Sequence, residues 1–94
     1  MPNKLTIEQS KAFKKSYRKY RYNKAVLKEL FYILDLLQHR KALPEKYRDH
    51  ELKGNFKSVR ECHIEPDELL LYFIIEDRVL KLVDIGSHAK LFGN

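Results

Sequence analysis

The chain predicts an α+β domain, in which a strand and two helices precede a three-stranded meander packed as one sheet. Three observations carry this. Apolar residues recur at helical spacing in the first half. After Gly54 the pattern changes to short strand-like runs. The pairs Pro66-Asp67 and Glu76-Asp77 then punctuate those runs as turns.

Leu5 and Ile7, with polar residues between them, suit a short first strand. Ser10 is placed to cap a helix through its hydroxyl. Phe13, Tyr17 and Tyr20 give that helix an apolar stripe, and Lys11, Lys14, Lys15, Arg18 and Lys19 fill the rest of its surface. Asn23 caps a second helix, with the turn of the hairpin near Arg21 to Asn23. Leu27, Leu30, Leu34 and Leu37 fall on one side of it, and Val26 and Ile33 widen that face. Pro44 disfavours helical geometry at Leu43, and the polar segment from Leu43 to Gly54 reads as a loop. Phe56 to Ile64 suits a strand. Leu69 to Ile75 is a continuous apolar run, the pattern of a central strand covered on both faces. Val79 to Ile85 is the last strand, broken by Gly86.

A chain of 94 residues makes one domain, residues 1–94, with a single modest core. No run approaches the ~18 apolar residues of a membrane span. The N-terminus lacks an apolar signal-peptide core, and Cys62 is the one cysteine. A cytoplasmic location without membrane contact is therefore expected. The charge is divided unevenly. Residues 1–46 hold 12 Lys/Arg against 4 Asp/Glu, a net of +8; residues 47–94 hold 7 against 9, a net of −2. The basic half is either a solvated helix face or an attractor for a polyanion or acidic protein.

The candidate chemistry lies in the other half. His50 stands in YRDHELKG, His63 and Asp67 in RECHIEPD, and His88 in DIGSHAKLF. Imidazole changes charge near neutral pH, so such a set with a carboxylate suits proton transfer. The meander can bring all four together. His39, at the end of the second helix, has a structural reading, because its protonated form complements the helix C-terminus. By type alone His50, His63, His88 and Asp67 also suit zinc, but their spacing matches no HExxH or paired Cys/His pattern, so no metal is expected. Cys62 points away from His63 in an alternating strand and belongs to the core. With three glycines there is no phosphate-cradling loop, and no serine is placed for a triad. Tyr17, Tyr20, Tyr22 and Tyr32 read as core or half-buried helix residues, and Tyr72 and Phe73 as packed strand residues. Phe92, past the last strand, suits either stacking on a base or capping the core.

YRDHELKG, FKSVRECHIEPD, LLLYFI and DIGSHAKLF together resemble the YafQ branch of the RelE/ParE toxin superfamily, closely over residues 44 to 93. The resemblance implies a RelE-like fold and a type II toxin that cuts mRNA in the ribosomal A site without metal or other cofactor. It implies an antitoxin partner of the DinJ or RelB kind, with a ribbon-helix-helix start, and contact with operator DNA only through it. His50, His63, Asp67 and His88 carry over as the catalytic set. In that chemistry the ribose 2′-OH attacks the neighbouring phosphate. It needs a base, an acid for the departing 5′ oxygen and cations for the phosphate charge. His88 is assigned as acid, His63 or His50 as base, and Asp67 as the group that orients an imidazole. Lys53 and Arg60 are the candidate phosphate cations, and Phe92 the residue that stacks on a base. Two departures from the family pattern, Asp84 and Glu68, set negative charge near a phosphate site and imply weakened activity. They also support an alternative: a catalytically weak module that acts mainly as antitoxin partner and corepressor. A gyrase-directed toxin of the wider superfamily would not need this histidine set.

Overall fold

The structure, a computed structural model, describes residues 3–54 and 58–93. The strand β1 (Thr6–Gln9) leads into α1 (Lys11–Tyr17), which tightens into a 3-10 turn at Arg18–Tyr20. The long helix α2 (Lys24–Gln38) follows, then a second 3-10 turn (Glu45–Tyr47) and the two-residue β2 (His50–Glu51). The meander is β3 (Arg60–Glu65), β4 (Glu68–Ile75) and β5 (Val79–Gly86), closed by α3 (His88–Phe92). The sheet order is β1-β5-β4-β3-β2. Only the β1–β5 pair is parallel.

The caps form at the residues the sequence marks. The Ser10 hydroxyl accepts from the Phe13 amide at 2.9 Å and donates to the Val83 carbonyl at 2.6 Å, fixing the start of α1 onto β5. Asn23 accepts from the Val26 amide at 3.2 Å. At the far end of α2, His39 Nδ1 lies 2.8 Å from the Asp35 carbonyl, as its helix-end reading requires. The buried stripe of α2 is Val26, Leu30, Ile33 and Leu37, with Leu27 and Leu34 at its margin. It meets Cys62, Ile64, Leu70, Tyr72, Leu80, Leu82 and Ile85 from the sheet. Each such aliphatic side chain contributes roughly 1.5–3 kcal/mol by leaving water.

Four expectations need correction. The segment from Leu43 to Gly54 is more than a loop, because Tyr47 enters the core and β2 covers the open edge of β3. Two strand residues are too few for alternation to register. The strand expected from Phe56 begins at Arg60 among the described residues, and Phe56 and Lys57 lie outside them. Tyr22 is 84% exposed in the interhelical turn, and Tyr32 is exposed on α2. The β4 run is buried only from Leu69 to Tyr72; Ile74 is exposed where the helix layer no longer covers it.

Asp49 anchors the β2 segment. Its carboxylate accepts from the Tyr72 hydroxyl at 2.5 Å and pairs with the Arg60 guanidinium at 3.0 Å. Burial, reinforced by that bond, drives the Tyr72 hydroxyl well above the usual phenol range. Urea unfolding of Asp49→Ala is expected to show a loss of about 1–3 kcal/mol, the cost of leaving a buried polar group unpaired. Adding Tyr72→Phe should return part of it; no return would show that the orphaned hydroxyl is not the cause.

Candidate functional site

Alternation along β3 decides what faces what. Cys62 and Ile64 turn into the helix-side core, so Glu61 and His63 turn to the opposite face. Strand pairing extends this row. His63 lies beside Leu69 on β4, Leu69 beside Gly86 on β5, and His50 beside Glu61 on the outer flank. Directly paired residues share a face. His50, Glu61 and His63 therefore gather on one side, and His88 follows two residues after Gly86, the β5 residue level with Leu69.

The centre of the group is a residue that the sequence reading passed over. Glu61 has a side chain only 8% exposed, and its Oε1 lies 3.2 Å from His50 Nε2 and 3.4 Å from His63 Nε2. The two rings are 6.4 Å apart. His50 Nδ1 is 2.7 Å from the Arg48 carbonyl, whereas His63 Nδ1 is a looser 3.4 Å from the Pro66 carbonyl. Both nitrogens of His50 thus face acceptors. His63 is held less tightly and is the freer of the two to exchange a proton. The signal for Glu61 was its two-residue spacing from His63 within a strand.

Asp67 acts differently from its expected role. Its Oδ1 accepts from the backbone amide of His88 at 3.2 Å, so it fixes the start of α3 rather than an imidazole. Ser87 caps the same helix by accepting from the Lys90 amide. The exposed His88 ring rests against Phe92 with centroids 4.9 Å apart, a contact that gives Phe92 a place beside the site. Lys90 folds back over the end of β5. A Cβ added at Gly86 would lie 2.7 Å from Lys90 Cδ, so the glycine makes room for that chain. The Lys90 ammonium donates to the Ser16 hydroxyl and lies 3.3 Å from Asp84 Oδ1. Ser16 in turn donates to Asp84 at 2.7 Å.

The two departures are thus both engaged. Asp84 is met by Lys90 and Ser16, and Glu68 accepts from the Tyr20 hydroxyl at 2.5 Å. Burial and the Glu68 carboxylate push that hydroxyl above its ordinary range. Neither carboxylate presents the unscreened charge that the sequence suggested.

One of the two expected phosphate cations is held away from the histidines. Arg60 alternates to the face opposite Glu61, where the bond to Asp49 raises its pKa further. Lys53 is exposed in the segment after β2. Among the described residues, no three side chains of His, Cys, Asp and Glu gather closely enough to hold a metal ion. None of the described helices is long and apolar enough to cross a membrane.

With this geometry in hand, the relatives are informative. Residues 5–93 match the family described as a bacterial toxin of type II toxin-antitoxin systems, YafQ. The mRNA interferase toxin YafQ of Escherichia coli K12 is 35% identical over 88 residues, 93% of this chain and 95% of that protein. A crystal structure of a metal-bound toxin from Helicobacter pylori is 45% identical with a TM-score of 0.85, covering 94% of this chain and 99% of that one. In the crystal structure of the E. coli DinJ–YafQ toxin–antitoxin complex, the matched chain is 33% identical with a TM-score of 0.84, covering 96% and 99%. Matched in sequence and fold over nearly its whole length, the chain belongs to the YafQ family of bacterial type II toxins.

Proposed function

We propose that this protein is the toxin of a type II toxin–antitoxin pair and an endoribonuclease that cuts mRNA in the ribosomal A site. The observation that carries the reading is the Glu61 carboxylate within reach of both His50 and His63, with His88 starting the helix just past the end of β5. The relatives' names, an mRNA interferase and a toxin–antitoxin complex, support the activity and an antitoxin partner.

The chemistry follows from the contacts. His63, loosely held, takes the proton of the ribose 2′-OH. The 2′ oxygen bonds to phosphorus and the bond from phosphorus to the 5′ oxygen breaks. His88, on the exposed start of α3, gives that oxygen a proton. The products are a 2′,3′-cyclic phosphate and a 5′-OH. His50, with both nitrogens against acceptors, holds the Glu61 carboxylate and through it the position of His63. Asp67 sets the position of His88 through its backbone amide. Phe92, against the His88 ring, offers a face on which a base can stack. The basic α1, with Arg18 and Lys19 after it, packs on the core side of the sheet and draws the protein toward RNA phosphates without occupying the site.

Cleavage on programmed ribosomes tests this. Wild type should cut, His63→Ala and His88→Ala should each lose at least ~100-fold, the usual scale of a proton-transfer group, and a message with deoxyribose at the cut position should resist. A folded wild type that binds its antitoxin but cuts nothing would leave a binding module. Lys90→Met should lower the rate by about tenfold, equivalent to ~1.4 kcal/mol, since it frees the Asp84 charge and loosens α3. Adding Asp84→Asn should recover most of the loss. An unaffected Lys90→Met enzyme would show that this contact does not matter to the site.

A further inference from the structure

Of the cations expected at the phosphate, Arg60 is committed to Asp49 on the other face. A cavity of about 450 Å³ opens beside His63, and Arg48 and Lys46 border it. Pro66 and the edges of the buried Tyr47 and Ile64 give it apolar lining, and the carboxylates of Glu29 and Glu65 border it. Lys46 is partly occupied, 3.7 Å from Glu29 and over the Tyr47 ring. Glu29 also accepts from the Tyr47 hydroxyl, a bond that holds its carboxyl below the usual range. Arg48 differs. Among the described residues its guanidinium takes no hydrogen bond and no ion pair.

The backbone of Arg48 is also unusual. It is left-handed, with φ 49° and ψ 43°, a conformation that disfavours side chains larger than glycine. What this conformation achieves is visible in the contacts. It turns the chain from the buried Tyr47 to the Asp49 anchor and aims the Arg48 carbonyl at His50 Nδ1. Glycine would make that turn with less strain, so the arginine has no folding advantage at this position.

We propose that the cavity beside His63 seats the message nucleotide flanking the cut, with the Arg48 guanidinium gripping that nucleotide's phosphate. This rests on the ribonuclease reading. The base and ribose lie along Pro66 at the mouth of the cavity, where the Glu29 carboxylate meets their hydrogen-bond donors. The phosphate stays at the open rim, where a planar guanidinium can bind two of its oxygens.

The decisive variant is Arg48→Gly. It keeps the carbonyl that holds His50 and suits the left-handed backbone, so it should melt close to or above wild type. On programmed ribosomes it should cut at least tenfold more slowly at limiting protein, and Arg48→Lys should fall between. Messages with single neutral methylphosphonates around the cut identify the partner. One position should slow wild type by a similar factor and leave Arg48→Gly unchanged. Wild-type rates for Arg48→Gly overturn the proposal. So does a neutral phosphate that slows both proteins equally. A slow variant with no sensitive message position assigns Arg48 to ribosomal RNA and also overturns it. Binding to ribosomes carrying a deoxy-substituted message reads the subsite without cleavage. There, a loss in Arg48→Gly that the same methylphosphonate removes sustains the subsite even if wild type cuts nothing. Equal binding by both proteins rejects it.

Discussion

A carboxylate taken almost wholly out of water must find partners, because its desolvation costs several kcal/mol. Glu61 finds two imidazoles, and much of the local architecture follows from that. His63 shares its strand and face. His50 arrives only because the two residues of β2 lie alongside β3. That placement needs Asp49, which turns away from His50 to hold Tyr72 and Arg60. It also needs Tyr47, which plants the preceding turn in the core and bonds Glu29 on α2. One short segment thus serves both faces of the sheet, with Asp49 bonding on one side and His50 on the other.

The second half of the site is assembled by a separate set of contacts. The β4–β5 pairing brings Gly86 level with Leu69 and so with His63. A register shift in β5 near Asp84 allows that carboxylate to reach Ser16 on α1. Lys90 completes the link from α3. His88 therefore sits on a helix held at two points, by Asp67 at its amide end and by Lys90 along its side. The imidazole is exposed, while its backbone is fixed.

The fold was legible wherever a pattern ran long enough to repeat. Ser10 and Asn23 cap as their chemistry requires, and the α2 stripe and the meander follow their periods. The sequence misled where the decisive partner was distant or the element short. Two residues of β2 carry no period. Arg60 resembled a phosphate ligand until pairing set it beside Tyr72 and Asp49. Asp84 and Glu68 looked like unscreened charges because Ser16, Tyr20 and Lys90 are far from them or unremarkable in sequence. The four motif residues His50, His63, Asp67 and His88 stood out by type and spacing. Glu61 did not, since one glutamate among many acquires meaning only from what it touches.

The shared Glu61 carboxylate is the centre of this account, and nitrogen NMR of the imidazoles tests it most directly. Spectra of wild type and Glu61→Gln at one neutral pH report the protons on each ring nitrogen. The account predicts that the Nε2 signals of His50 and His63 both move on this substitution, while those of His39, which bonds within α2, stay in place. Unchanged His50 and His63 signals in a folded Glu61→Gln protein would contradict it.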